Sequence, residues 1–367
     1  MKKVKILTFH NAENYGANLQ AYALKEVLKD MDTEPSFINY QDKHILKDYK
    51  LIRTNSLKSF FSSLWYMPRN LKRKKSFKSF CDRYLDGNTK KYYAKEEIEL
   101  DLSSKDVLVA GSDQIFNPDL TGGLSDIYTL NLKKENVDKI IYGASVGNDE
   151  LLEANKDKFK EKLKDLEYIS VREENIAKSL ENILNKKVEK VLDPTLLLEK
   201  ERWEELINKE KTVDLDKTKY ILVYTLFENP EITKIANYLS KKTGLKVVHF
   251  RKYNAYKNEL MSMYTKGPAD FVNAFKNAEY IVTNSFHGLV FSIIFERKQY
   301  VLMPNSRGGR LKDMLSLVGL EKRAVNSLED VINNELDEDI DYVSVKNRLN
   351  IEKEKSIKYL RGGICKN

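Results

Sequence analysis

The chain has 367 residues, 41% of them hydrophobic, and a formal net charge of +8 from 63 basic and 55 acidic side chains. That length exceeds one ordinary core and predicts two domains, and charges of both signs suit an anionic substrate or a membrane surface as well as nucleic acid. Two distant cysteines, Cys81 and Cys365, with no CxxC or Cys/His cluster, argue against a disulfide framework and against a metal site.

The start MKKVKILTFH has too short an apolar core for a signal peptide, and no apolar run approaches the roughly 20 residues that span a bilayer. A reducing, cytoplasmic compartment is the expectation. Val4–Phe9 reads as a buried strand, followed by a loop from His10 to Asn18 and a helix over Leu19–Met31, with Leu24, Val27, Leu28 and Met31 at helical spacing. Strand, glycine-containing loop and helix open a Rossmann-like unit, although GxGxxG is absent and Gly16 stands alone. Phe37–Tyr40 reads as a second strand.

Between about residues 42 and 93 this rhythm breaks. Lysines and arginines from Lys43 to Arg83 interleave with Phe60, Phe61, Leu64, Trp65, Tyr66, Phe77 and Phe80, and Pro68 separates two helical pieces. The pattern fits an amphipathic arm at an anionic membrane. The plainer reading is a helical hairpin that packs its aromatics inward and solvates its lysines. No RNA-binding signature accompanies the charges, so nucleic acid is not an expected partner.

Alternation then resumes. Asp106–Ala110 is a strand, with the polar loop Gly111 to Asp119 after it, and Ile140–Ala144 is another, ending in Ser145-Val146-Gly147. Leu151–Leu166 reads as one charged helix, Tyr168–Val171 as a strand leading into Arg172-Glu173-Glu174 and a helix to about Leu184, and Val188–Leu192 as a last strand before Asp193-Pro194. The first domain is placed at 1–194.

The second, at 195–342, starts over. Tyr220–Tyr224 is a strand, Glu231–Lys242 a helix, Val247–Phe250 a strand, Arg251–Lys266 an irregular loop and Ala269–Lys276 a helix. In the stretch AEYIVTNSFHGLVFSIIF, Tyr280–Val282 form a short strand run, Thr283, Asn284 and Ser285 a small polar turn, and the residues to Phe295 a buried helix. Such a turn leaves backbone N–H groups at a helix start, where an anion settles, and His287 is placed there with a side chain able to move a proton near neutrality. A capped helix with a buried histidine is the plainer alternative. Gln299–Leu302, the loop Pro304 to Arg310 and a helix to about Val318 follow, and a helix near Val343–Tyr359, within 343–367, is expected to cross back. The fold expected is α/β, with two Rossmann-like doubly wound domains facing across a cleft.

The phrases ILTFHNAENYGANLQAYAL, VLVAGSDQIFNPDLTGG, IIYGASVGND, YISVREENIA, VLDPTLLL and GPADFVNAFKNAEYIVTNSFHGLVFSIIF, in this order, resemble the polysaccharide pyruvyl transferase family. The resemblance implies transfer of the pyruvyl group of phosphoenolpyruvate onto a sugar, as a cyclic ketal with release of phosphate, in capsule or exopolysaccharide synthesis for the cell envelope. It also implies a fold similar to two-domain, GT-B-like glycosyltransferases. No cofactor is implied beyond phosphoenolpyruvate as co-substrate.

By resemblance, His287 is the expected general acid or base, and Arg172 binds the donor's carboxylate or phosphate with a forked pair of bonds. Pairing of Arg172 with Glu173 or Glu174 is its structural alternative. Asn284, Ser285, Arg307 and Arg310 complete the expected donor side. Family members often carry an arginine two residues before the histidine; Ser285 stands there in this chain, so the donor side either lacks one expected cation or draws it from Arg307 or Arg310. The first-domain loops are expected to face the acceptor, a free or lipid-linked glycan, through Asn14, Tyr15, Asn18, Gln20, Ser112, Gln114 and Asn117. Asp113 is a candidate base there, or else a turn former. His10 ends the first strand and is a candidate to face the cleft, whereas His44 and His249 read as structural. The competing functions are a nucleotide-sugar-dependent glycosyltransferase of the same architecture and a catalytically silent carbohydrate-binding relative.

Overall fold

Runs such as residues 107–110 and 220–224 are apolar at consecutive positions, so both faces of each strand need cover, the condition met by parallel strands flanked by helices. The computed structural model describes residues 1–47, 49, 63–304, 308–333 and 339–365. The chain divides into two units: Met1–Lys50, Lys78–Leu198 and Asn350–Asn367 form the first, Leu51–Phe77 and Glu199–Leu349 the second.

The first unit holds β1 (Lys2–Leu7), β2 (Thr33–Phe37), β3 (Asn39–Tyr40), β4 (Lys91–Tyr92), β5 (Asp106–Asp113), β6 (Asp138–Ala144), β7 (Tyr168–Val171) and β8 (Glu189–Lys190). Its main sheet has the order β2-β1-β5-β6-β7-β8, with every pair parallel, and β3 and β4 pair apart from it. Leu108, Ala110 and Ile141 bury against Phe116, Tyr128 and Phe159 on a flanking layer. The helix Tyr15–Lys29 starts earlier than its apolar periodicity suggests, because Asn14 caps it by accepting from the Ala17 N–H. The expected single helix over 151–166 is two, Asp149–Ala154 and Lys156–Leu163. Asn155 lies between them, its side chain donating to the Leu151 carbonyl in competition with the helix ladder.

The second unit holds β9 (Tyr220–Tyr224), β10 (Lys246–His249), β11 (Glu259–Ser262), β12 (Tyr280–Thr283), β13 (Lys298–Leu302) and β14 (Ala324–Val325). They form one parallel sheet in the order β11-β10-β9-β12-β13-β14. Ile221, Val223, Val282 and Tyr300 pack with Ile232, Ile235 and Leu239 on one side. On another buried layer Trp203 and Phe271 each meet Phe291 edge to face, and Phe275 lies tilted against Phe271. Strand β11 lies in the segment expected to be irregular; it is a half-buried edge strand, so it lacks the apolar run that marks a central one.

The basic and aromatic insertion does not stay with one domain. Its helix Met67–Tyr84 carries Pro68 at its start, where a missing N–H costs nothing, and the part to Phe77 belongs to the second unit. The reason is polar: Arg69 donates to Ser262, Arg73 to the Tyr264 carbonyl and Ser76 to the Thr265 carbonyl. Phe77 and Phe80 are buried and Lys72, Lys74 and Lys75 exposed, the solvated-face pattern, while Phe60 and Phe61 lie outside the described residues. The closing helix Tyr342–Ile364 begins in the second unit, where Tyr342 donates to the Arg297 carbonyl, and ends in the first, where Tyr359 donates to the Ile141 carbonyl and Ser356 accepts from Leu192 N–H. Among the described residues no helix is long and apolar enough to cross a membrane.

Candidate functional site

Open parallel sheets bind ligands beyond the carboxyl ends of their strands where the strand order reverses. In the first unit this point lies between β1 and β5, and in the second between β9 and β12. Among the described residues, Asn18, Gln20 and Ser112 lie at the first of these places, and Asn284, Ser285 and His287 at the second.

At the first, the loop after β1 is braced from within. Gln20 donates to the Thr8 hydroxyl and accepts from the Ser112 N–H, Thr8 donates to the Ser112 carbonyl, and Ser112 donates to the Gly143 carbonyl. Asn18 donates to the carbonyls of His10 and Ala12. Asn14 and Asn117 cap helices, Gln114 accepts from Asn117, and Tyr15 is buried on the first helical turn. The side chains expected to face an acceptor are thus brought to one sheet end, and Asn18, Gln20 and Ser112 are fully buried there as braces. Gly111 at φ +127° makes the approach of β5 to β6 possible, since a Cβ there would lie 1.9 Å from the Tyr142 carbonyl oxygen.

Arg172, which follows β7, does not project as a forked surface group. Its side chain is buried, with Nη1 paired to the buried Asp193 and Nη2 3.9 Å from Asp113 Oδ1. Of the two neighbouring glutamates, its alternative partners from the sequence, Glu173 accepts from the Ser145 hydroxyl and Glu174 pairs with Lys178. Asp193 also accepts from the N–H and hydroxyl of Thr195, which fixes it in place. Asp113, left-handed at φ +77°, accepts from the Gln114 N–H and keeps part of its carboxylate in solvent. His10, expected toward the ligand side, is instead buried against the Phe37 ring, and burial lowers its pKa to about 4. Thr8 and Asp193 were not marked by the sequence reading; only the Asp-Pro-Thr turn signal at 193–195 hinted at the second.

At the second point, Thr283 donates to the Tyr224 carbonyl and ties the end of β12 to that of β9. The helix Phe286–Ile294 then starts on top of it, with Ser285 as N-cap accepting from the Gly288 N–H. Gly288 is required by close approach, because a Cβ there would lie 2.1 Å from Thr283 Oγ1. His287 is thereby held on the first turn, largely buried, beside the Phe286 ring. Asn284 clasps the loop after β9, accepting from Leu226 N–H and donating to the Phe227 carbonyl. The Arg310 guanidinium lies 5.8 Å from the Phe286 ring centroid, and Arg307 lies outside the described residues. His249 is buried, with Nε2 3.1 Å from Glu259, and the His44 ring covers Gly122.

Chemically, the second point offers a helix N-terminus, an imidazole and a nearby guanidinium, a set suited to an anion and a proton transfer. The first offers hydrogen-bonding groups around a buried arginine held between two carboxylates. Among the described residues no group of three His, Cys, Asp or Glu side chains is placed to hold a metal ion.

Several solved structures share this fold. A UDP-N-acetylglucosamine 2-epimerase matches with a TM-score of 0.55 at 12% identity, covering 99% of this chain and 95% of that one. The enzyme of that name from Rickettsia bellii matches at 0.53 and 11%, covering 99% and 97%. The one from Neisseria meningitidis, solved with UDP-GlcNAc, matches at 0.50 and 11%, covering 98% and 100%. At such identity the likeness establishes the GT-B-like, two-Rossmann-domain class alone. A search of curated proteins returns no match. The family model for polysaccharide pyruvyl transferase matches residues 14–306, which include the phrases around Asp113, Arg172, Asp193 and His287. The chain belongs to the polysaccharide pyruvyl transferase family.

Proposed function

We propose that this chain transfers the pyruvyl group of phosphoenolpyruvate to two hydroxyls of a sugar in a surface polysaccharide or its lipid-linked precursor. The observation that carries the reading is His287 on the first turn of a helix opening at a strand-order reversal, inside the span matched by the family. The phosphate and carboxylate of the donor suit the helix N-terminus and Arg310. His287 gives a proton to the donor's methylene carbon, and a sugar hydroxyl attacks the cation developing at C2. Phosphate then leaves with the C2–O bond electrons, and the second hydroxyl adds to C2 with loss of its proton. One donor and one diol thus yield one ketal and one phosphate. In this reading the second unit serves the donor and the first the acceptor, with Asp113 taking the hydroxyl proton. Arg172, held by Asp193, keeps Asp113 oriented. No cofactor beyond the co-substrate is invoked.

The test is phosphate release from phosphoenolpyruvate with galactosides and N-acetylhexosamine glycosides, wild type beside His287→Ala. Acceptor-dependent release that collapses in the variant is expected. Equal release by both proteins would remove the histidine from the chemistry. Thermal stabilisation by a nucleotide sugar, with none by phosphoenolpyruvate, would replace the reading with a glycosyltransferase. Glycoside binding without donor binding or phosphate release would replace it with a carbohydrate-binding relative.

A further inference from the structure

We infer that Leu64, Trp65, Leu71, Lys72, Lys74 and Lys75 form a docking surface for an anionic lipid bilayer. Trp65 is 81% exposed, Leu64 41% and Leu71 48%, three large apolar side chains left in water within eight residues of sequence. Their exposure does not come from a segment without anchorage. The opposite face is bolted down: Arg69 Nη2 lies 3.1 Å from Ser262 Oγ, Arg73 Nη1 3.0 Å from the Tyr264 carbonyl, and the Tyr264 hydroxyl 3.0 Å from Asn70 Oδ1. Arg69 and Arg73 also sit over the Tyr264 ring. The segment's arginines therefore hold it to the second unit, while its lysines point away. Lys72, Lys74 and Lys75 are exposed and make no ion pair among the described residues, unlike Lys78, which pairs with Asp82.

Indole prefers the boundary between hydrocarbon and water, and unpaired lysines beside it are drawn to anionic headgroups. That combination separates the bilayer from other partners. A nucleic acid would meet the lysines but leave Leu64 and Leu71 in water. A second copy docked face to face about a two-fold axis would set lysine against lysine. The inference is independent of the reaction proposed above, and its test needs no turnover.

The chain supplies its own probe, because only two tryptophans are present and Trp203 is fully buried against Phe291. The full chain is mixed with vesicles of equal parts phosphatidylcholine and phosphatidylglycerol, and with pure phosphatidylcholine. Expected are co-sedimentation and a blue shift of tryptophan emission with the anionic vesicles alone, both weakened by salt. Trp65→Ala abolishes the shift and lowers binding, and Lys72→Glu/Lys75→Glu weakens binding on the order of tenfold or more. Both variants alter exposed side chains, so folding is not at stake, and unchanged circular dichroism checks this. Protein left in the supernatant with unshifted emission overturns the proposal. So does vesicle binding that survives both variants, or concentration-dependent self-association abolished by Trp65→Ala.

Discussion

The two strand-order reversals are built in different ways. At β1/β5 the backbone is held by the Gln20 side chain, which reaches both Thr8 and Ser112, and past the ends of β7 and β8 the Arg172–Asp193 pair seals two charges from water. At β9/β12 it is held by proximity: a helix set directly on a strand end because residue 288 has no side chain, with Asn284 fastening the neighbouring loop. The same polar residue types thus stand for two constructions. The first is vulnerable to unpaired charge and the second to added volume.

The largest expected effect tests the charged construction. Asp193→Ala leaves the Arg172 guanidinium buried without its main partner and should cost about 3–5 kcal/mol in urea unfolding. Replacing both, as Arg172→Met/Asp193→Leu, should return most of that stability. A double variant no more stable than Asp193→Ala would show that the pair is not the cause.

Next comes the pH dependence of the same region. His10 has a folded-state pKa lowered by burial from 6.5 to about 4, so the unfolded chain binds more protons in that interval. Its contribution is complete above pH 6.5 and is lost as pH falls toward 4, amounting to about 3 kcal/mol. His10→Phe, which keeps a ring against Phe37, should flatten this part of the stability–pH curve. An unchanged slope would place the titration elsewhere.

The packed construction should respond to a single methyl group. Gly288→Ala brings a Cβ into the Thr283 hydroxyl and should destabilise by about 1–3 kcal/mol. Adding Thr283→Ala should relieve part of the clash, so the two changes should be strongly non-additive in a double-mutant cycle. The smallest effect is expected at the clasp. Asn284→Ala frees the Leu226 N–H and the Phe227 carbonyl at about 1 kcal/mol, and amide exchange at Leu226 should rise while β9 stays protected.

Much of this architecture is legible in the chain itself. Consecutive apolar residues at 107–110 and 220–224 mark buried parallel strands, and the small polar turn before Phe286 marks the helix start that carries His287. These signals are local, because strand and helix periods repeat within a few residues. What tertiary structure alone decided is where each polar side chain ends. Arg172 has a glutamate beside it in sequence but pairs with Asp193, 21 positions on, and Gln20 meets Ser112, 92 positions on. The edge strand β11 and the allegiance of the helix from Met67 likewise depended on neighbours distant in sequence. A hydrogen-bonding group is committed by whatever the fold brings within about 3 Å of it, and no short-range pattern contains that distance.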